Sequence, residues 1–331
     1  MNQFTNNLKD MGESMGESMG KIYNNFSLSG KVLFFFLIFI CLIAFFKMLN
    51  GKNNQSTLFL KEGFVEKPDE FTFKGGTDVF DDFYSSIYDH LVFSNVKNDY
   101  EIGQIVNKTS PTNESIILDV GSATGHHVAA LAQRGLKVTG IDNSSSMVKQ
   151  AKENYPKYDF VLGDVMKSEQ FQANSFTHIL CLYFTLYYMK DKEHFFQNCF
   201  NWLMPGGYLV IHLVDREMFD PIIPPANPFF LLTPQRYADK RITTSTVTFD
   251  DFKYDSNFEL NPSNDEAKFV EKFKNKNTGK VFRKQEHQMY MEPEKDILAM
   301  AQEVGFILQG KIDLIKSGYE YNNLYILIKP S

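Results

Sequence analysis

The stretch from Ile116 to Gly125, IILDVGSATG, constrains this chain more than any other part of it. Apolar residues run into Asp119, a short glycine-bearing turn follows, and a helix-like segment begins beyond it. That order reads as a strand, a tight loop and a helix N-terminus. Gly121 and Gly125 carry no Cβ, so the loop lets backbone N–H groups approach a ligand closely. A second strand, Lys137 to Ile141 in GLKVTGID, delivers Asp142 to the same edge of the sheet. A carboxylate in that place can accept hydrogen bonds from both hydroxyls of a ribose. The two features together point to a nucleoside cofactor.

The loop reads D-V-G-S-A-T-G, with small residues at Gly121, Ala123 and Gly125. A dinucleotide fingerprint needs G-x-G-x-x-G instead. Alternating small residues after an acidic one resemble the D/E-x-G-x-G-x-G loop of class I S-adenosylmethionine-dependent methyltransferases of the small-molecule type. Ala123 replaces the middle glycine and leaves less room over the cofactor's amino-acid tail. Three further elements follow in the family's order. VLGDV carries Asp164 just after a third strand, where family members contact the adenine amino group. LMPGGYLVIHLV, with Pro205, Gly206 and Gly207, resembles the turn into the fifth strand. NNLYILIKP resembles the last, antiparallel strand of the family's sheet.

The resemblance spans roughly residues 80–331 and implies S-adenosylmethionine as cofactor. It implies cofactor contacts at Tyr88, Asp119, Gly121, Ser122, Ala123, Gly125, Asp142, Asn143, Met147, Asp164, Val165 and Tyr183. Taken singly, the glycines are ordinary turn residues, Asp142 an ordinary helix cap and Asp164 an ordinary strand end. Their joint order is what carries the reading.

The coarse pattern alternates strand and helix. Strands are expected near 115–120, 136–141, 158–162, 176–183 and 207–214, and helices near 125–134, 144–155 and 191–203. Such alternation gives an α/β, doubly wound, mostly parallel sheet, seven-stranded if the resemblance holds, in a Rossmann-like methyltransferase fold. Between about 240 and 292 the pattern becomes alternating apolar and polar, with NTG at 277–279 marking a turn. This predicts an antiparallel β insertion that acts as a lid over the acceptor pocket or as an oligomer interface. FDDFYSSIYDHL places Tyr84 and Tyr88 on one helix face, where they cover the cofactor or merely pack. The proline-rich stretch 218–234 reads as a fixed loop near the cleft.

Ahead of this body, Val32 to Phe46 is an unbroken apolar run between Lys31 and Lys47. A helix of that length rises about 22 Å, short of a hydrocarbon core of roughly 30 Å, and Met48 and Leu49 extend it. A cleaved signal peptide is the rival reading. It is opposed by the long polar segment ahead of the run and by the lack of an A-x-A-like site. The expected organisation is a disordered tail at 1–30, one N-terminal transmembrane helix at 31–49, a linker at 50–75 and the methyltransferase domain at 76–331. Lys47, Lys52 and Lys61 against Lys21 and Lys31 give a slight bias that places the catalytic domain on the cytosolic side of a single-pass membrane protein.

A net charge of −6 over 331 residues argues against broad nucleic-acid binding. The three cysteines, Cys41, Cys181 and Cys199, offer no metal-ligand spacing and no disulfide framework.

Methyl transfer from a sulfonium chiefly needs alignment and exclusion of water, and a base only if the nucleophile arrives protonated. Base candidates are Tyr183, Tyr187 and Tyr188 after the fourth strand, His212 and Asp215 in or after the fifth, and Glu286 and His287 in the insertion. Tyr187 and His212 are the catalytic residues expected here. CLYFTLYY stands where base and glutamine methylation would want an N/D-P-P-Y-like tetrapeptide. A nitrogen or oxygen of a small-molecule acceptor is therefore the leading target. The alternatives are a protein methyltransferase acting near the membrane and a noncatalytic interaction module.

Overall fold

The computed structural model describes residues 71–226, 235 and 238–331, together with Ser27, Gly30, Lys31 and Phe39. In chain order the elements are β1 (Thr72–Gly75), α1 (Asp82–Val92), α2 (Asn95–Thr109), β2 (Ile116–Val120), α3 (His126–Ala132), β3 (Lys137–Asp142), α4 (Ser145–Asn154), β4 (Asp159–Leu162), β5 (Phe176–Cys181), α5 (Lys192–Trp202), β6 (Leu203–Val214), β7 (Thr244–Thr248), β8 (Phe252–Asn261), β9 (Glu266–Asn275), β10 (Val281–Tyr290), α6 (Glu294–Val304), β11 (Ile307–Asp313) and β12 (Asn322–Ile328). The chain divides into two units, Met1–Val65 and Glu66–Ser331.

Helix ends follow local chemistry. Asp81, Ser94, Ser144 and Asp191 each accept a hydrogen bond from a backbone N–H three residues on, capping α1, α2, α4 and α5. Gly305 ends α6 in the left-handed region.

A seven-stranded sheet runs in the order β11-β12-β6-β5-β2-β3-β4. β12 alone runs against the others, pairing antiparallel with both β6 and β11. Helices lie on both faces. Ile102, Ile105, Val128, Leu131 and Val148 from α2, α3 and α4 pack with Ile117, Val138, Leu180 and Val210. Phe195, Phe196, Trp202 and Ile297 from α5 and α6 pack on the other face with Ile179, Leu209 and Ile211. Central strands such as β2 and β5 are consequently buried on both sides, which is why they read as continuous apolar runs. The chain leaves β2 in one direction and returns through β5 in the other, so the switch point lies between these two strands.

A second sheet has five strands in the order β1-β10-β9-β8-β7. Its antiparallel part is the insertion expected between 240 and 292. The fifth strand corrects the expected linker at 50–75. Thr72–Gly75 pairs in parallel with Arg283–Glu286. Four residues are too short to show a strand period, and the partner lies some two hundred residues away, so nothing local announces the pairing.

Among the described residues no helix is long and apolar enough to cross a membrane. The expected transmembrane run 31–49 lies outside the described residues apart from Lys31 and Phe39, as do nearly all of the tail at 1–30 and linker residues 50–70.

Candidate active site at the strand ends

The loop after β2 is built on alternating backbone hands. Gly121, Ala123 and Gly125 have φ of 67°, 46° and 92°. Gly121 and Gly125 adopt this region freely, whereas Ala123 does so at a cost of about 1–2 kcal/mol. The loop's N–H groups were expected to face a ligand, and the structure corrects this. Those of Gly121 and Ser122 donate to the Ile141 carbonyl, that of Gly125 to the Ser122 carbonyl, and that of Ala123 to Asp142 Oδ2 at 2.9 Å. The loop therefore ties the ends of β2 and β3 together. Asp142 Oδ1 accepts from Ser144 N at 2.9 Å, so both carboxylate oxygens are fixed by backbone. Burial pushes the Asp142 carboxyl up, while these backbone donors pull it back.

A cavity of about 470 Å³ opens at the switch point. Of the expected cofactor residues, Tyr88, Gly121, Ala123, Asp142, Asn143, Met147, Asp164, Val165 and Tyr183 all line it. Asp164 Oδ1 accepts from Met166 N at 2.9 Å. Phe219, Ile222 and Ile223 from the proline-rich stretch also line it, while residues 227–234 of that stretch lie outside the described residues.

A smaller chamber of about 80 Å³ adjoins the loop and is lined by Asp119, Ser122, Lys97, Asn98 and Glu101 among others. Gly121, Ala123, Tyr88 and Tyr183 border both spaces. In this chamber Asp119 Oδ2, Asn98 Oδ1 and Ser122 Oγ are buried with no hydrogen-bond partner. Desolvation pushes the Asp119 carboxyl up to about 6. Unpaired buried acceptors of this kind fit an ammonium, which brings three donors. Lys97 Nζ sits 2.7 Å from Glu101 Oε1 and over the Tyr183 ring. Burial alone would raise Glu101, but Lys97 and His127 overcome it and hold the carboxyl at about 2. Lys97 and Glu101 escaped the sequence reading because an i, i+4 lysine–glutamate pair on a helix normally marks a solvated face.

Three expected site residues fall elsewhere. Gly125 lines neither space; a Cβ there would stand 2.6 Å from the Phe160 ring, so its smallness serves helix–sheet packing. Tyr187 is fully buried, and its hydroxyl accepts from Val214 N at 2.8 Å, so it braces β6 and does not face the cavity. His212 is also fully buried, with Nδ1 on the Tyr183 carbonyl and Nε2 3.1 Å from Asn322 Oδ1. Burial drives its imidazole down to about 4. It stands one layer behind the cavity and holds Tyr183, whose φ of 54° is left-handed. Of the other base candidates, Asp215 caps its own turn through Oδ1, and Glu286 pairs with Lys284 at 2.6 Å.

His287 and Tyr188 do reach the cavity. His287 Nε2 lies 2.7 Å from Glu271 Oε2, and its Nδ1 lies 2.8 Å from the Tyr188 hydroxyl. Burial would raise the Glu271 carboxyl, yet His287, Tyr254 and Gln285 together hold it below the usual range. Sequence reasoning missed Glu271 and Gln285. One signal was present: the alternate positions Arg283, Gln285 and His287 of β10 are polar on the face where the neighbouring strands place Phe258, Phe269 and Phe273.

Residues 118–211 match the methyltransferase domain family. A trans-aconitate 2-methyltransferase of Delftia acidovorans is 31% identical over 103 residues, covering 30% of this chain. The chain spans 38% of that relative's length. An S-adenosylmethionine-dependent methyltransferase structure from Clostridium acetobutylicum superimposes with a TM-score of 0.55 at 14% identity, covering 75% of this chain and 97% of that one. S-adenosylmethionine-bound CalS10, an amino pentose methyltransferase from Micromonospora echinaspora, gives 0.51 at 16% identity, covering 70% and 91%. The fold is thus that of S-adenosylmethionine-dependent methyltransferases. Within that fold, residues 118–211 carry the match to the methyltransferase domain.

Proposed function

We propose that this protein transfers the methyl group of S-adenosylmethionine to a nitrogen or oxygen of a small-molecule acceptor. The observation that carries this reading is one cavity with two chemically different ends. One end holds the strand-end carboxylates Asp142 and Asp164, suited to ribose hydroxyls and the adenine amino group. The other is walled by Tyr188, Phe258, Phe269, His287 and Met289 beneath the five-stranded sheet. The adjoining chamber, with Asp119 and Asn98, suits the cofactor's amino group. When bound, the cofactor supplies an activated methyl group. The chain's own residues then align the acceptor and exclude water. A space of about 470 Å³ roofed by a sheet favours a small acceptor over a protein segment.

The reading includes a membrane tether at residues 31–49, with the catalytic domain on the cytosolic side. Its support is the apolar run, the lysines that follow it, and the two described cysteines, Cys181 and Cys199, both buried as free thiols. Removing residues 1–50 should release a soluble protein that still binds cofactor. Misfolding of that truncation would make the run part of a core. To test the acceptor class, methyl-labelled S-adenosylmethionine is offered with pooled small amines and hydroxyl compounds, and separately with lysate protein. Label entering the small molecules is the expected outcome. Label entering protein would favour the protein methyltransferase, and label entering neither would favour an interaction module.

A further inference from the structure

The buried face of the five-stranded sheet holds polar groups where a sheet interior is normally apolar. Arg283, Gln285 and His287 alternate along β10 and are almost fully buried, and Glu271 faces them from β9. Such groups destabilise a fold unless every one is partnered. Here each is. Arg283 holds Asp81 with two bonds of 2.9 and 3.0 Å and donates to Gln285 Oε1 at 2.7 Å. Glu271 Oε1 accepts from the hydroxyls of Tyr84 at 3.2 Å and Tyr254 at 2.5 Å. Glu271 Oε2 accepts from Gln285 Nε2 at 2.5 Å and faces His287 Nε2 at 2.7 Å. Four donors from α1, β8 and β10 leave the carboxylate no freedom to swing.

Satisfying a buried network does not require it to open on a cavity, yet this one does, through Tyr188 and His287. An ionised Glu271 beside Nε2 fixes the proton on that nitrogen. Nδ1 is then the acceptor, and it faces the Tyr188 hydroxyl. A carboxylate that orients an imidazole, whose other nitrogen addresses a hydroxyl in a cleft, is the arrangement that removes protons. Burial and the Glu271 charge push the Tyr188 phenol up, so at neutral pH it stays protonated and donates to Nδ1. Phe80 stands edge-on to both Tyr188 and His287, with ring centroids 5.4 and 5.6 Å away.

We infer that Glu271, His287 and Tyr188 form a proton relay that deprotonates a neutral hydroxyl acceptor with an apolar body, a phenol or an alcohol. The inference rests on the methyl-transfer reading above. Tyr188 is the group that touches the acceptor; His287 and Glu271 act through it. In the step, the acceptor's proton passes to the Tyr188 oxygen as the Tyr188 proton passes to His287 Nδ1. The imidazolium so formed is balanced by Glu271. The electron pair left on the acceptor oxygen forms the bond to the methyl carbon. The carbon–sulfur bond breaks with its pair on sulfur, turning the sulfonium into a neutral thioether. His287 returns its proton to water after the products leave. A hydroxyl needs this help because its neutral oxygen is a poor nucleophile, whereas an unprotonated amine attacks with its own lone pair. The walls, with Phe258, Phe269 and Met289, match an apolar body.

The test uses 4-nitrophenol as probe, whose phenolate absorbs where the phenol does not. The full chain, saturated with S-adenosylhomocysteine, is titrated with the probe one pH unit below the probe's own pKa. The relay predicts a phenolate band in excess of that in buffer. The band should be lost in His287→Gln and in Tyr188→Phe, while calorimetry still shows the demethylated cofactor bound. No excess band in the wild-type protein, or a band that survives both substitutions, would overturn the relay. Should His287→Gln fail to fold, Tyr188→Phe decides alone, because its ring contacts are kept and only the hydroxyl goes. Failure of the protein to bind S-adenosylmethionine would instead sink the methyltransferase reading, so the two failures are distinguishable.

Discussion

The two sheets build their share of the cavity by opposite means. The seven-stranded sheet presents strand ends, and its site is made of short loops that join adjacent strands, with Asp142 and Ala123 19 positions apart. Asp142 fixes Ala123 and Ser144, and Gly121 donates to Ile141. The five-stranded sheet presents a face, and its site is assembled across strands. Glu271 collects donors from residues up to 187 positions away. Sites of the first kind are written in contiguous motifs. Sites of the second kind exist only once register is set, since a slip of one residue would turn His287 to solvent.

The largest test of this contrast removes the carboxylate at the centre of the second sheet. Glu271→Leu should cost about 3–5 kcal/mol of stability, because it strands Gln285, His287 and two tyrosine hydroxyls in a buried site. An unfolding free energy, from denaturant titration, lowered by less than about 1 kcal/mol would mean that the network is not tightly built.

His212 offers a second test, on the first sheet. Its folded imidazole is pushed down to about 4 from 6.5, so the unfolded chain binds the proton more readily. Stability should therefore fall as pH drops from about 6.5 to about 4, at up to roughly 1.4 kcal/mol per pH unit, and level off below that. Asp119, raised from 3.8 to about 6, works in the opposite direction and gains stability as pH falls through that span. Comparing wild type with His212→Asn isolates the first slope. An unchanged slope in the variant would place the histidine in contact with water.

A third prediction concerns Asp142→Ala. It should weaken S-adenosylmethionine binding by about 1–3 kcal/mol, roughly 5- to 150-fold, measured by calorimetry. The same change frees the N–H groups of Ala123 and Ser144, so a modest loss of thermal stability should accompany it. Unaltered affinity would remove Asp142 from the site.

A fourth test is Gly121→Ala. Its Cβ would stand 2.4 Å from the Thr185 side chain, at a φ of 67°. The crowding comes from Thr185 and not from space reserved for the cofactor. The backbone part should cost about 1–2 kcal/mol, and Thr185→Ala should restore the steric part that adds to it while leaving the backbone part. Strict additivity of the two substitutions would show that they do not touch.

What could be read from the sequence follows the same divide. The loop at Gly121 to Gly125, the strands on either side of it, Asp142 and Asp164 all announced themselves by local order. Tyr187, in the turn after β5, and His212, on β6, misled because they stand beside the cleft but point into layers behind the cavity, a distinction set by tertiary packing. Lys97 and Glu101 hid inside a pattern usual for exposed helices. Glu271 is one of several glutamates on alternating strands, and only the alignment of β8, β9 and β10 selects it. β1 is too short to carry a period of its own. The one sequence mark of the second site, a polar inner row in β10, is legible only with its partner strands beside it.

The most direct test of the account is calorimetric titration of the protein with S-adenosylmethionine, S-adenosylhomocysteine and NAD in parallel. Micromolar binding of the first two and none of NAD is the expected result. Binding of NAD, or of none of the three, would contradict it.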